Sequence, residues 1–364
     1  MIKVLQYIPS FDLGGIESFV LNMNEKIKEK CEFTYLVERD ISDHYKNKIE
    51  KLGGKIIRIP NLTKEGILRH IIAMKKVFKN EKYDAIHVHG CDIRIFALIF
   101  AKIYRVKVRI LHVHTTKLER HVKIKKFFLN INIKLSNKLL ACSKEAAIYM
   151  YGKRQSSADI IKNGIDIEKY RYDKNFRKKI REELKIPQDY VVLGNVGRFV
   201  DVKNQEFLIE IYKEYIKINP KSKLIFVGKG PLLLNLKEKV NNDNLNNNVI
   251  FLIDRTDVNE IYSAMDCFIL PSKYEGLGIV LIEAQANGLK CIVSKTILPE
   301  VNVTNTLTML DICKTPKYWS NIILNENLER YNEIEKIKEA GFDSENVALD
   351  LFRIYKGEYN ENYK

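Results

Sequence analysis

Residues 268–293 have the sequence FILPSKYEGLGIVLIEAQANGLKCIV, and this stretch decides the fold. It opens with a short apolar run typical of a buried strand, which ends at Pro271 and Ser272. A glycine-containing turn leads into apolar positions at helical spacing, Gly288 ends that helix, and a second apolar run begins at Cys291. The stretch therefore predicts a strand, a loop, a helix and a strand, which is the repeating unit of a parallel α/β sheet.

The loop of this unit has the composition of an anion-binding site. A loop that enters a helix from the carboxyl end of a strand presents free N–H groups and the positive end of the helix dipole. Gly276 and Gly278 lack the side chains that would keep a phosphate from the backbone. Glu275 lies in this loop and Glu283 two helical turns later, so both can face one pocket. Backbone amides that bind an anion, together with carboxylates that accept hydrogen bonds from hydroxyl groups, suit a nucleotide sugar.

Glu275 and Glu283 lie eight positions apart and resemble the E-x(7)-E signature of the family-four retaining glycosyltransferases. These enzymes have the GT-B fold, in which two Rossmann-like domains face each other across a cleft. The resemblance implies that Glu275 contacts the donor sugar and that Glu283 binds the ribose. It also implies that the backbone of Gly276, Leu277 and Gly278 holds the diphosphate. It covers nearly the whole chain and is strongest to enzymes of capsule and exopolysaccharide synthesis.

The chain of 364 residues is long enough for two domains with separate cores. The resemblance places an acceptor-side domain at residues 1–166, a nucleotide-sugar-binding domain at 167–343, and a helix at 344–364 that returns to the first domain. The sequence has no run of 18 or more apolar residues, and its six cysteines lack a repeated C-x-x-C spacing. These features predict a cytoplasmic protein with reduced thiols.

A pair of glycines follows the first predicted strand, which spans residues 3–8. Gly14 and Gly15 let the turn approach a phosphate closely, although many such pairs form only tight turns. A helix is expected to begin near Ser18, with Glu17 in its first turn. The pair resembles the Gly-Gly-x-Glu loop of the same family, which implies that both glycines lie beside the donor and Glu17 lies on the acceptor side.

Two further predicted strands end in the sequence His-Val-His, at residues 87–89 and 112–114. Alternation along a strand puts both imidazoles of each pair on one face, which is also the geometry of metal ligands. Because no cluster of Asp or Cys accompanies them, we predict a polar lining of a ligand site and no metal. The resemblance implies that His114 lies near the reacting sugar, with Thr115 beside it and His89 at the preceding strand end, both on the acceptor side.

Positive charge is concentrated in residues 51–150, which contain 22 lysines and arginines against 6 aspartates and glutamates, in a chain of net charge +15. Such a segment suits an anionic lipid surface or nucleic acid, although a codon bias toward lysine would also produce it. Within it, residues 117–138 mix cationic side chains with an apolar set at near-helical spacing, namely Val122, Phe127 with Phe128, Ile131 and Leu135. This segment predicts either a basic helix on a membrane or a core-facing helix with a solvated basic back.

Two cations, Arg198 and Lys203, follow the first predicted strand of the second domain. Cations at a strand end before a helix suit a diphosphate, and together with Gly197 they match the phosphate-binding pair of the family. Gly228 ends the next strand, in a turn that could admit the nucleotide. The loop expected to hold a metal-binding D-x-D motif lacks one, so we predict no divalent metal.

The predicted function is retaining transfer of a sugar from a nucleotide diphosphate sugar to a lipid-linked glycan at the inner face of the plasma membrane. Arg198, Lys203 and the loop amides would stabilise the charge on the leaving diphosphate, and His114 and Glu275 complete the predicted catalytic group. A nucleotide-sugar epimerase and a catalytically silent scaffold subunit share the two-domain shape and stay open as alternatives. Nucleic-acid binding is disfavoured, because the basic segment lacks an aromatic-interleaved strand motif.

Overall fold

The computed structural model describes residues 1–11, 15–90, 95–115, 122–275 and 278–358. The chain divides into two compact units. The first comprises Met1–Gly164 with Asp343–Lys364, and the second comprises Ile165–Phe342. The predicted boundaries after residues 166 and 343 differ from this division by one or two positions.

A parallel sheet forms the centre of the first unit. Its described strands are β1 (Ile2–Tyr7), β2 (Cys31–Val37), β3 (Lys55–Arg58), β4 (Ala85–His89), β5 (Val108–Val113), β6 (Lys138–Ala141) and β7 (Ala158–Ile160). Their spatial order is β3-β2-β1-β4-β5-β6-β7. The helices between them are α1 (Gly15–Lys26), α2 (Asp43–Lys51), α3 (Ile67–Asn80), α4 (Ile95–Ile103), α5 (Val122–Leu135) and α6 (Lys144–Tyr151). Buried apolar clusters form on both faces of the sheet, as a doubly wound fold requires.

The second unit repeats the same architecture. Its described strands are β8 (Val191–Val196), β9 (Ser222–Val227), β10 (Val249–Leu252), β11 (Cys267–Leu270), β12 (Lys290–Ser294) and β13 (Leu307–Leu310), in the spatial order β10-β9-β8-β11-β12-β13. Its helices are α7 (Ile167–Tyr170), α8 (Lys174–Glu183), α9 (Gln205–Ile218), α10 (Leu233–Asn242), α11 (Val258–Ala264), α12 (Ile279–Ala286), α13 (Pro316–Asn325) and α14 (Ile334–Glu339). The order 3-2-1-4-5-6 is that of a Rossmann sheet.

Residues 268–293 form the predicted strand, loop, helix and strand. They contribute most of β11, all of α12 and the first part of β12, and Phe268 pairs with Cys291 in parallel register. Leu281 faces the core, and Gly288 follows the helix with φ +74°, a left-handed conformation typical of a helix end. The prediction for this stretch is therefore confirmed.

The last described helix, α15 (Ser344–Lys356), belongs to the first unit although the second unit precedes it in the chain. It packs against α1, and its buried face includes Leu351 and Tyr355. The hydroxyl of Tyr355 accepts a hydrogen bond of 2.9 Å from the side-chain amide of Gln6 on β1. The predicted return of the C-terminal helix to the first domain is confirmed.

Both sheets reverse their strand order at one point, between β1 and β4 in the first unit and between β8 and β11 in the second. Ligands of open α/β sheets bind beyond the carboxyl ends of the strands at such a point. His89 ends β4 and His114 follows β5, while Gly197 follows β8 and Glu275 lies in the loop after β11. The fold therefore gathers the predicted site residues at the carboxyl ends of each sheet.

Gly228 is required by a close approach of two loops in the second unit. Its φ is +142°, and a Cβ atom there would lie 2.1 Å from the carbonyl oxygen of Gly197. The amide of Gly197 in turn donates to the carbonyl of Val227 at 2.9 Å. The contact explains this glycine without a nucleotide, so its donor-binding role stays a prediction.

Replacing Gly228 by alanine is expected to lower the free energy of unfolding of the second unit by about 3 kcal/mol, because the methyl group would overlap a backbone carbonyl in a strained conformation. Trp319, the single tryptophan of the chain, lies in this unit and reports its urea denaturation by fluorescence. Gly197→Ala is the matched control, since its Cβ would lie 3.9 Å from the nearest atom of Lys203. Equal losses in both variants would contradict the close approach.

Candidate active site

Lys203 and Glu275 form an ion pair at the switch point of the second sheet. Lys203 lies after β8 and Glu275 after β11, and these two strands are neighbours. The Lys203 Nζ lies 2.6 Å from Oε1 and 2.5 Å from Oε2 of Glu275. Only 18% of the lysine side chain and 11% of the glutamate side chain are exposed. The sequence placed both residues in one site, but it did not predict that they pair.

Hydroxyl groups hold the loop that carries Glu275. The Ser272 Oγ donates to Oε2 of Glu275 at 3.2 Å. The Ser272 carbonyl accepts hydrogen bonds from Ser294 Oγ at 2.6 Å and from Thr296 Oγ1 at 2.7 Å. The carboxylate is thus positioned from the end of β12 as well as by its lysine. Sequence analysis missed these hydroxyl residues, and their position at strand ends was the available signal.

The loops after β8 and β11 are also joined independently of the ion pair. The amide of Lys273 donates to the carbonyl of Val202 at 2.8 Å, and the Asn204 side chain donates to the carbonyl of Pro271 at 3.1 Å. These bonds flank Lys203, so its distance from Glu275 is set by the backbone of both loops as well as by charge. The arrangement is therefore preorganised for a ligand that contacts both loops.

The start of α12 lies directly against Glu275. Gly278 precedes the helix with φ +59°, and a Cβ atom there would lie 3.0 Å from Cγ of Glu275. Glycine is therefore favoured both by its conformation and by the nearby carboxylate. Gly276 and Leu277 lie outside the described residues, so the predicted backbone contacts to a diphosphate stay a prediction.

Arg198 supplies a second cation beside the same loops. It follows Gly197 at the end of β8, and its side chain is exposed. Its backbone carbonyl accepts a hydrogen bond of 3.0 Å from Gln205 on α9. Within the described part of the chain, its guanidinium has no ion-pair partner. A phosphate at this edge would therefore meet one unpaired guanidinium and one ammonium already paired with a carboxylate.

Glu283 has a separate environment on α12. Its Oε2 accepts a hydrogen bond of 2.9 Å from the hydroxyl of Tyr262. Burial raises the pKa of the Glu283 carboxyl to about 7, while hydrogen bonds from Tyr262 and Tyr170 act in the opposite direction. The structure gives Glu275 and Glu283 different partners, so the expectation that both face one pocket stays a prediction.

Four histidines cluster at the carboxyl ends of β4 and β5 in the first unit. The ring centroids of His87 and His89 lie 4.0 Å apart, as do those of His112 and His114, so each pair shares one face as the alternation predicts. The His87 Nε2 lies 3.1 Å from Nδ1 of His112, and the His89 Nδ1 lies 3.0 Å from Nε2 of His114. The first three rings are buried and His114 is half-buried.

Two residues from outside these strands anchor the cluster. The hydroxyl of Tyr355 lies 2.8 Å from Nδ1 of His87, and Oε1 of Gln6 lies 2.9 Å from Nε2 of His89. Sequence analysis missed both residues. Gln6 did give a signal, because a glutamine inside an apolar strand must find hydrogen-bond partners when it is buried.

The spacing of three rings alone would accommodate a metal ion. One nitrogen each of His87, His89 and His112 lies within 4.8 Å of the others. Hydrogen bonds already engage both ring nitrogens of His87 and His89, so a metal would have to displace them. Burial lowers the pKa of these three imidazoles well below the usual value and that of His114 to about 3. The cluster is therefore neutral at physiological pH.

The remaining predicted residues of the first unit lie at the start of α1 and directly after His114. Helix α1 begins at Gly15, three positions before the predicted start at Ser18, and Glu17 is buried in its first turn as predicted. Thr115 directly follows His114 and is partly exposed. Gly14 lies outside the described residues. The acceptor-side roles of Glu17, His89 and Thr115 stay predictions.

Two doubly wound parallel sheets, each with polar side chains gathered at its switch point, define the GT-B class of fold. Solved structures of other proteins have the same architecture. Anabaena HepE in complex with UDP matches with a TM-score of 0.72 at 19% identity, over 98% of this chain and 97% of its own. A glycosyltransferase from Rickettsia africae matches with a TM-score of 0.77 at 17% identity, over 99% of both chains. At these identities the likeness shows the fold.

Sequence comparison identifies the family. Residues 13–169 match the model for Glycosyltransferase Family 4, and residues 176–308 match that for Glycosyl transferases group 1. The putative glycosyltransferase EpsF of Bacillus subtilis is 27% identical over 97% of this chain and 96% of its own. An Escherichia coli UDP-Gal:alpha-D-GlcNAc-diphosphoundecaprenol alpha-1,3-galactosyltransferase is 32% identical over 62% of both chains. The chain belongs to the family-four glycosyltransferases and is an enzyme of that class.

The raised pKa of Glu283 predicts a pH-dependent stability. Its folded pKa of about 7 exceeds the ordinary value of 4.5, so its stabilising contribution is complete below pH 4.5 and is lost as the pH rises through 7. Glu283→Gln is therefore expected to raise the free energy of unfolding at pH 8 by on the order of 2 kcal/mol and to change it little at pH 4.5. Urea denaturation followed at Trp319 measures both. The same difference at the two pH values would contradict the prediction.

Proposed function

We propose that this glycosyltransferase moves a sugar, with retention of configuration, from a nucleotide diphosphate sugar to a lipid-linked saccharide in bacterial capsule or exopolysaccharide synthesis. The observation that carries the proposal is the partly buried pair of Lys203 and Glu275 at a Rossmann switch point, beside Arg198, whose guanidinium has no ion-pair partner among the described residues. The names of the relatives support it, because one is assigned to a diphosphoundecaprenol-linked acceptor and another to capsular polysaccharide synthesis.

The second unit would hold the donor. When its diphosphate binds, Lys203 exchanges the carboxylate of Glu275 for phosphate oxygens, and Arg198 joins it. The exchange frees Glu275 to accept hydrogen bonds from hydroxyl groups of the sugar, while Glu283 accepts those of the ribose. As the bond between the sugar and the phosphate breaks, negative charge grows on the leaving diphosphate beside two fixed cations, which stabilise the transition state.

The first unit would supply uncharged polar groups. His114 is proposed to contact the sugar that is transferred, and Glu17, His89 and Thr115 to line the acceptor side. Because burial holds the pKa of His114 at about 3, this imidazole acts as a neutral hydrogen-bonding group and not as a cation. The positive charge needed by the leaving group is provided by Arg198 and Lys203, so we propose a reaction without a divalent metal.

A membrane surface is proposed for α5. Its buried residues include Leu129 and Ile133, whereas Val122, Ile124 and Phe127 are exposed, the last by 62%. One face of α5 packs on the core, as the core-facing interpretation expects, and another face presents apolar side chains among exposed lysines, which supports the proposed membrane contact. Of the apolar set named from the sequence, Val122 and Phe127 are exposed, whereas Phe128, Ile131 and Leu135 are partly buried.

Helix α3 extends this surface. It packs on α4, which in turn packs on α5, so the three helices form one layer. Ile67, Leu68 and Ile72 of α3 are exposed by 54%, 70% and 64%. The apolar and basic faces of α3 and α5 fit an anionic leaflet, where apolar side chains enter the interface and lysines meet headgroups. Among the described helices, none is both long and apolar enough to cross a membrane.

The donor site is tested by measuring nucleotide diphosphate release from a panel of UDP- and GDP-sugars, with membrane lipid extract as the source of acceptor. One donor is expected to react, with or without EDTA. Glu275→Gln is expected to lower turnover by about 100-fold. The same variant should bind UDP about tenfold more tightly, because Lys203 is released from its carboxylate.

The matched control is Glu326→Gln. Glu326 pairs with Lys290 at 2.8 Å in the same unit and is similarly buried, but it lies outside the proposed site. Its replacement should change neither turnover nor UDP binding. Release from no donor, or unchanged UDP affinity in Glu275→Gln, would contradict the donor site, and activity that needs added magnesium would contradict the metal-free reaction. A free sugar product without acceptor would favour the epimerase.

Membrane contact is tested by co-sedimentation with vesicles of phosphatidylglycerol and phosphatidylcholine. The double variant Ile124→Ser with Phe127→Ser should weaken binding by about tenfold or more, because two apolar side chains no longer enter the interface. Leu234→Ser is the control, since Leu234 is 77% exposed on the second unit, on α10. Equal binding by both variants, or equal binding to vesicles without anionic lipid, would contradict this surface.

A further inference from the structure

The side-chain amide of Gln6 is the junction of a buried hydrogen-bond network. It is 1% exposed and lies on β1, the central strand of the first sheet. Its Nε2 donates to the hydroxyl of Tyr355 at 2.9 Å, and its Oε1 lies 2.9 Å from Nε2 of His89. One end of the amide can only donate and the other can only accept, so its orientation sets the direction of every bond that follows.

One arm of the network runs from Gln6 to His114. The oxygen of Gln6 can only accept, so Nε2 of His89 carries the hydrogen. In a neutral ring the other nitrogen is then an acceptor, and Nδ1 of His89 must receive a hydrogen from Nε2 of His114. His114 is left with an unprotonated Nδ1, which is buried and has no hydrogen-bond partner among the residues that the structure describes.

The other arm runs from Gln6 through Tyr355. Because the Tyr355 oxygen accepts from Gln6, its O–H can donate to Nδ1 of His87. The Nε2 hydrogen of His87 then donates to Nδ1 of His112, whose own hydrogen is on Nε2. The ring of His112 stands edge-to-face with Phe19 at 5.6 Å and 87°. Nε2 of His112 is itself buried and has no hydrogen-bond partner among the described residues.

One alternative network satisfies the same contacts while the Tyr355 hydroxyl still donates within the network. Turning over the amide of Gln6 reverses every bond in both arms and moves the hydrogen of all four imidazoles to Nδ1. The first arrangement places all four on Nε2, which is the intrinsically preferred tautomer of a neutral histidine. It also directs Nε2 of Gln6 toward Oδ1 of Asn24 at 3.5 Å, while Asn24 donates to Tyr35 at 2.9 Å.

We propose that Gln6 is a positioning residue that fixes a common Nε2–H tautomer in His87, His89, His112 and His114, so that Nδ1 of His114 is a hydrogen-bond acceptor. A group that binds this nitrogen must then donate, as a sugar hydroxyl does, whereas a phosphate or carbonyl oxygen would face an unsatisfied lone pair. The inference that a sugar hydroxyl donates to Nδ1 of His114 rests on the proposed function. The tautomers do not, because they follow from contacts inside the first unit.

The tautomers are tested on the full-length protein labelled with ¹⁵N-histidine, without substrate, by long-range ¹H–¹⁵N correlation. The four cluster histidines should show hydrogen on Nε2. His70 provides an internal reference of the opposite tautomer, since its Nδ1 lies 2.8 Å from the carbonyl oxygen of Pro60 and must donate to it. Tyr355→Phe should release only the arm of His87 and His112, which identifies their signals.

Activity separates positioning from a purely structural role. Gln6→Met keeps the size of the side chain but removes both hydrogen bonds, and should lower kcat/KM by about tenfold. Tyr212→Phe removes a buried hydroxyl that donates to the Ser222 carbonyl in the second unit, outside the network, and should change kcat/KM by less than about twofold. Both variants should be folded like the wild type, so that a loss of activity in Gln6→Met can be assigned to the hydrogen-bond network.

Hydrogen on Nδ1 of any cluster histidine in the wild type would overturn the proposal. Stoichiometric zinc by elemental analysis, with ¹⁵N shifts of metal-bound imidazole, would also overturn it. Equal activity losses in Gln6→Met and Tyr212→Phe would contradict the positioning role. If no donor is turned over, the proposed function fails, but the spectrum of the wild-type protein still determines the histidine tautomers. The wild-type spectrum also determines the tautomers if a variant does not fold.

Discussion

The reversal of strand order in each sheet is the constraint on which the rest of the molecule depends. In a parallel sheet covered on both faces, the loops after the two strands at the reversal run to opposite sides and leave a crevice. The pair of Lys203 and Glu275 lies at the reversal of the second sheet, and the histidine ends of β4 and β5 lie at the reversal of the first sheet. The chemistry of the site follows from what the sequence places at those ends.

The two units accommodate their partly buried polar groups in different ways. The second unit keeps charges at its switch point, with a cation and a carboxylate satisfying one another until a ligand separates them. The first unit keeps neutral imidazoles, because burial lowers the pKa of each and hydrogen bonds engage most of their nitrogens. A leaving diphosphate needs fixed positive charge, which the second unit provides, and an uncharged sugar needs hydrogen-bond donors and acceptors, which the first unit provides. The two kinds of polar group therefore match the diphosphate and the sugar of the proposed donor.

The sequence predicted what depends on local pattern. Apolar runs and Gly288 were sufficient for the strand, loop, helix and strand of residues 268–293, and alternation alone placed each His-Val-His pair on one face. The pairing of Lys203 with Glu275 could not be predicted, because it depends on β8 and β11 being neighbours. The contact of Gln6 with Tyr355 could not be predicted either, because 349 positions separate the two residues in the sequence.

In the proposed reaction, Lys203 leaves Glu275 to hold the donor diphosphate at the switch point of the second sheet. The most direct measurement is a crystal structure of the protein with UDP, beside one without it. In the complex, the Lys203 ammonium is expected to lie within hydrogen-bond distance of a phosphate oxygen, with Arg198 beside it and the bond to Glu275 broken. UDP bound elsewhere, or bound with the Lys203–Glu275 pair intact and away from the phosphates, would contradict it.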